Sequence, residues 1–203
     1  MTGFIVINLL DLVDKYGDEY VKHILSDFSC PANIDVEKFL LTNAVEFAKQ
    51  GYSQTHIVLS SYQEKNVIAG YFTLANKYFL VKGKNGVMGS NLRRRIRKFG
   101  QLNLETNNYQ ISALLIAQLG KNANYDNLIT GDELLNIACA EVKKVQRVIG
   151  GKFVYLECED KECLKTFYET NGFYNFGKRF LDRDEVEDFS GSYLIQMLKY
   201  LNK

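Results

Sequence analysis

A cluster of carboxylates follows an apolar run in the last third of the chain. Glu157, Glu159 and Asp160 stand at the end of the segment from Phe153 to Cys158. A carboxylate can take a proton from an ammonium group, directly or through water, so these residues are candidates for a general base. Glu157 is the first choice because strand alternation can point its side chain into a cleft. Charged residues after a strand are also typical of a solvated turn, so both interpretations stay open.

A second cluster is basic and lies near the middle of the chain. It consists of Arg93, Arg94, Arg95, Arg97 and Lys98. Arginine pairs with phosphate groups, including those of RNA. A run of this kind is also typical of a solvated helix face. The sequence leaves these two interpretations open.

The segment Thr130-Gly131-Asp132-Glu133 has the spacing of a capping box, in which a threonine and a glutamate three positions later satisfy the first turn of a helix. Acidic residues in that turn stabilise the helix by roughly 0.3–1 kcal/mol, but they oppose an incoming anion. The pattern predicts a helix that begins at Gly131.

Cysteine and histidine are too few and too scattered for a metal site or a disulfide framework. The chain has four cysteines and two histidines, namely Cys30, Cys139, Cys158, Cys163, His23 and His56. Cys158 and Cys163 have no histidine nearby and are interpreted as small hydrophobic residues. We expect a reducing, cytoplasmic setting and no bound metal.

Length and composition favour an ordinary soluble globular protein. The 203 residues are expected to form a single domain, 1–203, and 46% of them are hydrophobic. The 25 basic and 24 acidic side chains nearly cancel, so attraction to nucleic acid must come from a local patch. No segment approaches the roughly 20 apolar residues of a membrane helix, and the apolar start is interpreted as a strand.

Apolar periodicity predicts the elements that must position these clusters. The first half is predicted to contain a strand from Phe4 to Leu10, a helix through Tyr16 and Leu25, a second helix capped by Asn33 or Asp35, and a hairpin of His56–Ser60 with Val67–Leu74. Phe79–Val81 continues the second hairpin strand after a kink. Residues 82–108 are expected to be an insertion with a short basic helix at Asn91–Phe99.

The second half is predicted to contain a strand, a long helix and a second strand parallel to the first. Tyr109–Leu119 is nearly continuously apolar, which is typical of a central strand covered on both faces. A helix from Gly131 to Val148 would cross over to the strand Phe153–Cys158, making the two strands parallel. A short helix, Lys161–Thr170, and strands at Phe173–Phe180 and Tyr193–Leu198 follow. The last strand is expected at an edge of the sheet.

This order of elements resembles the GNAT N-acetyltransferase superfamily along nearly the whole chain. Residues 167–173, Phe-Tyr-Glu-Thr-Asn-Gly-Phe, are similar to the family's Phe-Tyr-Glu-x-x-Gly-Phe signature, and residues 68–74 are similar to its third strand. The resemblance implies an α+β (mixed α/β) GNAT-like fold. Its sheet would have six to seven mostly antiparallel strands flanked by helices, with a parallel, splayed central pair.

The first half is also similar to the acetyltransferase toxins of bacterial toxin–antitoxin pairs. Phe28-Ser29-Cys30, the capped segment 33–40 with Ala44, and the segment 51–55 carry this resemblance. It implies a bacterial enzyme, an antitoxin protein as a possible partner, and aminoacyl-tRNA as a possible acceptor that Arg93, Arg94, Arg95 and Arg97 would contact. A monomer and a homodimer both stay open.

The superfamily resemblance implies acetyl-coenzyme A as cosubstrate. Its pyrophosphate would bind main-chain N–H groups where a loop enters the long helix, here Asp126, Asn127, Leu128, Ile129, Thr130, Gly131 and Asp132. Only Gly131 matches the family's Arg/Gln-x-x-Gly-x-Gly/Ala pattern, because Asp126 and Ile129 replace its leading residue and middle glycine. Lys121 or the arginines of the insertion can restore positive charge. The pantetheine arm would pair with the backbone of Ala117, Gln118 and Leu119.

The signature also implies a role for Tyr168. This residue falls on the family tyrosine that protonates the departing thiolate, and a phenol with a pKa of ~10 is matched to that task. Without the signature, an aromatic residue beside Phe167 would be interpreted as core.

The primary hypothesis is therefore direct acetyl transfer from acetyl-CoA to a primary amine, with Tyr168 as acid and Glu157 as base. A narrower alternative is a toxin that acetylates aminoacyl-tRNA. A different class is a catalytically degenerate GNAT fold that binds an acyl-CoA, RNA or a protein; Asp126 and Ile129 favour it.

Overall fold

The computed structural model describes residues 3–82, 88–181 and 192–201. Contacts group the chain into two compact units. The first unit comprises Met1–Ala75 and Ile116–Glu141, and the second comprises Asn76–Leu115 and Val142–Lys203. The single domain expected over 1–203 stays a prediction.

The described residues form strands, helices and two short helical turns. The strands are β1 (Ile5–Asn8), β2 (Gln54–Tyr62), β3 (Lys65–Lys82), β4 (Gln101–Asn103), β5 (Asn108–Lys121), β6 (Phe153–Cys158), β7 (Tyr174–Phe180) and β8 (Tyr193–Tyr200). The helices are α1 (Leu9–Tyr16), α2 (Asp18–Leu25), α3 (Ile34–Lys38), α4 (Ala44–Lys49), α5 (Ser90–Phe99), α6 (Gly131–Ile149) and α7 (Glu162–Thr170), with a π-helical turn at Phe39–Asn43 and a 3₁₀ turn at Ala123–Tyr125.

The beginning of the chain differs from its prediction. The strand ends at Asn8, whose side chain accepts a hydrogen bond from the Leu10 N–H and so starts α1 instead of extending the strand. The single predicted helix is two helices, because Gly17 adopts φ 80° and ψ 161°, a conformation that ends a helix and suits glycine.

The next helical segment is capped by Asn33 and not by Asp35. The Asn33 side chain accepts from the N–H groups of Asp35 and Val36. The π-helical turn at Phe39–Asn43 then separates α3 from α4.

The strands of the first unit follow the order β1-β2-β3-β5. β2 and β3 form the predicted antiparallel hairpin, and its tight turn places Gln63 and Glu64 at positive φ. The core under these strands is apolar; it contains Leu9, Val21, Leu25, Leu40, Ile57 and Tyr71 among other buried residues.

The strands of the second unit follow the order β3-β5-β6-β8-β7, with β4 paired to β5. β8 lies between β6 and β7 and is antiparallel to both, so the expectation that it forms an edge is wrong. Its apolar positions are buried on both faces, whereas β7 carries the mixed polar pattern of an edge strand. A second apolar cluster, including Phe79, Ile96 and Phe153, fills this unit.

The expected insertion is more regular than its composition indicates. β3 continues to Lys82, so Phe79–Val81 continues the second hairpin strand as predicted. The basic helix is present as α5, and β4 then forms a short antiparallel hairpin with the start of β5. Residues 83–87 of the predicted 82–108 insertion lie outside the described residues.

The predicted fold class is confirmed. Within the described residues, the sheet is mostly antiparallel with one parallel pair, β5 and β6, joined by α6, and it has eight strands where six to seven were expected. β5 is central, but it is not covered on both faces, since Gln110, Ser112 and Ala117 are exposed. The splay predicted between β5 and β6 stays a prediction.

Candidate functional site

The predicted pantetheine contacts lie near the end of β5, in the first unit. Ala117 is exposed there, while Gln118 and Leu119 are half-buried. The strand then passes through Gly120, where a methyl group would meet Val36 and would lie 3.2 Å from the Phe28 ring. Only glycine fits this close packing.

A buried asparagine directly after β5 was missed by the sequence reasoning. The Asn122 amide donates to the carbonyl groups of Asp27 (3.1 Å) and Ile68 (2.9 Å). Its carbonyl oxygen accepts from the N–H groups of Ser29 and Asn124, both at 3.1 Å. Asn122 therefore ties the loop after α2, strand β3 and the 3₁₀ turn to the end of β5. No local pattern identifies such a residue, because its partners are distant in sequence.

Two residues of the loop into α6 replace positions of the glycine pattern that the resemblance implied. Ile129, at the position of the middle glycine, is only 2% exposed and belongs to the core. Asp126 forms an ion pair with Lys121 at 2.9 Å. The lysine that was expected to add positive charge is therefore partly neutralised by the aspartate of the same loop.

The predicted capping box is present at the start of α6. The Glu133 carboxylate accepts from the Thr130 N–H at 2.8 Å, and the Thr130 hydroxyl accepts from the Glu133 N–H at 3.1 Å. These bonds from Thr130 hold the pKa of Glu133 below its ordinary value of 4.5. The box uses two of the main-chain donors at this helix end.

Other donors of the same loop remain available. The N–H groups of Asn127, Ile129 and Gly131 make no hydrogen bond to any residue that the structure describes. Ile129 is buried, so the donors within reach of a ligand are those of Asn127 and Gly131, and donors at the positive end of the α6 dipole are suited to a phosphate group. The first unit thus gathers the predicted residues 117–119 and 126–132 on neighbouring parts of one strand–loop–helix segment.

Tyr168 lies on α7 in the second unit. Its ring contacts Phe167 at 5.0 Å and Phe173 at 5.9 Å between ring centroids. Burial, followed by the nearby Cys158 thiol, raises the pKa of Tyr168 well above its ordinary value of 10.0. The phenol therefore keeps its proton at neutral pH, but it is a weaker acid than the matched phenol expected from the sequence.

Glu157 lies on β6 in the same unit and is already partnered. Its carboxylate accepts from Nε of Arg179 on β7 at 2.7 Å and from the amide of Gln196 on β8 at 2.8 Å. Glu157 and Arg179 side chains are 14% and 30% exposed, so the pair is shielded from much of the solvent. The arginine and glutamine were not identified from the sequence, although an arginine inside a strand is a signal for such a pair.

The other two carboxylates of the cluster form surface ion pairs. Glu159 pairs with Lys161 at 2.6 Å, and Asp160 pairs with Lys165 at 2.8 Å. Asp160 also accepts a hydrogen bond from the Tyr193 hydroxyl at 2.7 Å. These contacts fit the interpretation of a charged, solvated turn.

The four arginines of α5 divide into two pairs. Arg93 turns inward and donates to the Met88 carbonyl at 3.2 Å, and the Arg95 guanidinium lies 4.1 Å from the centre of the Tyr200 ring. Arg94 and Arg97 are exposed. Leu92 and Ile96 anchor the opposite face of the helix in the core.

Cysteine chemistry contributes little to the site. The four cysteines, all within the described residues, form no disulfide, and burial, assisted by Asp160 and Glu159, raises the pKa of Cys158 to about 11. Within the described ranges, no group of three or more metal-ligating side chains is found. A search of the described helices also finds none that is long and apolar enough to cross a membrane.

Comparisons with known proteins identify the fold. No protein-family model matches the chain, and neither does any curated protein. The structure of AtaT complexed with acetyl-methionyl-tRNAfMet is similar at a TM-score of 0.60 and 17% identity, over 95% of this chain and 94% of that chain. A tyrosine-to-phenylalanine variant of KacT gives a TM-score of 0.60 and 12% identity, over 96% and 94%. AtaTR bound with AcCoA gives a TM-score of 0.56 and 18% identity, over 95% and 91%.

Proposed function

Because the chain has the GNAT-like fold of the AtaT and KacT toxin acetyltransferases, we propose that it is an acetyl-CoA-dependent N-acetyltransferase of the toxin type. Its acceptor in this proposal is the primary amine of an aminoacyl-tRNA. The observation that carries the proposal is the similarity over 95% of the chain to a structure containing acetyl-methionyl-tRNAfMet.

The donor half of the reaction is assigned to the first unit. The N–H groups of Asn127 and Gly131, which bond to no residue that the structure describes, are suited to the pyrophosphate of acetyl-CoA, as neutral main-chain donors do not depend on a basic side chain. The exposed backbone near Ala117 is suited to the pantetheine arm. When bound, acetyl-CoA would supply the activated acetyl group.

Tyr168 is proposed as the general acid that gives its proton to the departing thiolate. Its raised pKa ensures that the proton is present at neutral pH. The same shift makes proton transfer less favourable than from an ordinary phenol, so we expect the reaction to depend on how the bound thioester changes the surroundings of the hydroxyl.

Glu157 is proposed as the base that accepts the proton of the ammonium group. Arg179 and Gln196 orient its carboxylate, and each already occupies one of its two oxygens. A proton must therefore reach a remaining lone pair, which favours transfer through a water molecule over direct contact with the amine.

The tRNA contact is assigned to the exposed pair Arg94 and Arg97. Arg93 and Arg95 already make intrachain contacts, so they are proposed to shape the helix and not to bind phosphate. An antitoxin protein as partner, a monomeric or dimeric state and a cytoplasmic location stay predictions.

The proposal is tested by incubating the protein with radiolabelled acetyl-CoA and a mixture of aminoacyl-tRNAs. We expect labelled acetyl-aminoacyl-tRNA, and a fall in kcat of about 10²–10⁴-fold for Tyr168→Phe, because a positioned general acid contributes that range. Tyr174→Phe is the matched control, since Tyr174 is 57% exposed on β7 and should leave kcat unchanged. Full activity of Tyr168→Phe would remove the acid assignment, and no labelled product would remove the acceptor assignment.

A binding module without turnover is the second candidate. The Lys121–Asp126 ion pair and the capping box favour it, as both place negative charge beside the proposed pyrophosphate donors. Isothermal titration distinguishes the candidates together with the transfer assay. Binding of acetyl-CoA without any acetyl transfer would favour the binding module. No binding of acetyl-CoA at millimolar concentration would reject both the enzyme and the acetyl-CoA-binding module.

A further inference from the structure

The second unit contains an open cleft of about 600 Å³ near the beginning of β5. Its walls are the end of α5, the β4–β5 hairpin, the end of α6 and the start of β6. The lining residues are Phe99, Gln101, Gln110, Ile111, Ser112, Gln146, Gly150, Gly151, Lys152 and Phe153. The volume lies within the range of about 300–1,000 Å³ typical of small-ligand sites. The acetyl-CoA contacts proposed above involve the other end of β5 and do not use these residues.

Two carboxamides lie side by side in this cleft. Gln101 and Gln110 are direct partners in the antiparallel register of β4 and β5, which places their Cβ atoms about 5 Å apart. Both side chains are exposed, and neither makes a hydrogen bond to a described residue. Gln146, in contrast, is held by a bond from its amide to the Phe153 carbonyl at 3.0 Å. The hairpin thus presents two amides that can donate and accept hydrogen bonds at once.

The cleft also has an aromatic wall and a cation. Phe99 is 42% exposed and is braced by the Phe153 and Tyr200 rings, each at 6.1 Å between centroids. Lys152 makes no ion pair with any described residue, and the ten lining residues include no carboxylate. An aromatic face, amides and a lysine are the chemistry that recognises a base, its polar edge and a phosphate.

We propose that this cleft binds an unstacked nucleotide of single-stranded RNA. The base would stack on Phe99 and exchange hydrogen bonds with Gln101 and Gln110, while Lys152 would contact a phosphate. Arg97, in the last turn of α5, is exposed as well. The inference goes beyond the proposed function, since it requires neither acetyl-CoA nor an aminoacyl group.

Fluorescence anisotropy with a labelled, unstructured oligoribonucleotide tests the proposal, with a blunt duplex of the same sequence as competitor. We expect the single strand to bind more tightly than the duplex, and Gln110→Ala to weaken binding about tenfold, the lower part of what one base contact contributes. Lys152→Ala should lower the slope of log affinity against log salt by about 0.7, the value for one phosphate on a single strand. Gln110→Ala should leave that slope unchanged.

The controls distinguish RNA binding in this cleft from nonspecific electrostatic binding and from acetyl transfer. Lys143→Ala removes an exposed lysine on α6, outside the cleft lining, and should leave the salt slope unchanged. The binding assay contains no acetyl-CoA, so a failed acetyl-transfer assay would not affect this test. Ser112→Trp, which fills the cleft from an exposed position of β5, should abolish the single-strand preference. The proposal is overturned if the duplex binds better, or if Gln110→Ala and Ser112→Trp leave the affinity unchanged.

Discussion

Replacing Asn122 by alanine should be the most destabilising polar substitution in the loop after β5. The Asn122 side chain is 0% exposed and takes part in four hydrogen bonds. The Ile68 carbonyl would lose its partner in a fully buried place, which costs about 1–3 kcal/mol. The three other bonds are partly buried, so water replaces them in part, and their loss together costs about 2 kcal/mol.

The free energy of unfolding should therefore fall by about 3–5 kcal/mol. For a chain of this length, that loss lowers Tm by about 6–20 °C, measured by differential scanning calorimetry or by circular dichroism. Asn122→Asp should lower Tm at least as much at neutral pH. A carboxylate keeps the bonds from Ser29 and Asn124 but faces two carbonyl oxygens with a buried charge.

Asn124→Ala is the matched control, because it removes an exposed amide two positions away that makes one bond to the same Asp27 carbonyl. Its cost should stay below about 1 kcal/mol. If Asn122→Ala lowers Tm no more than Asn124→Ala does, the reasoning that Asn122 joins three segments is wrong.

Two further predictions concern stability. Gly120→Ala should lower the free energy of unfolding by about 1–3 kcal/mol, since the added methyl group meets Val36 in a filled core. Gly3→Ala is the control, because a methyl group there has nothing within 4 Å and should change the free energy of unfolding little. Equal Tm values for both variants would contradict the packing argument. Glu133→Gln should lower Tm at neutral pH, and the Tm difference from the unmodified protein should shrink as the pH falls below 4.5. The bonds from Thr130 depress the pKa of Glu133 in the folded state, so the stability that the carboxylate contributes is lost when it is protonated. A Tm difference independent of pH would refute this assignment.

Local patterns in the sequence predicted most elements of the fold. The capping box at Thr130 and Glu133, the end of α7 before Gly172 and the bounds of β6 all match the structure. Each depends on residues within about one turn or one strand, so propensity and side-chain spacing suffice to identify it. The same is true of the Phe-Tyr-Glu signature, which is a contiguous string.

The sequence contains a partial signal for the interior position of β8. Its near-continuous apolar run indicates burial on both faces, while Lys178 and Arg179 on β7 are typical of an edge strand. Strand order itself depends on which strands pair, and pairing joins residues far apart in the chain. The expectation of an edge at the end of the chain therefore failed.

The sequence by itself determined the helices and strands, their order, and the positions where hydrogen-bond donors and acidic side chains can occur. Only the tertiary structure decided the partners: Asn122 with Asp27 and Ile68, and Glu157 with Arg179. The physical reason is that a polar side chain is specified by what surrounds it after folding. Burial and hydrogen bonding come from residues tens of positions away, and no local pattern encodes them.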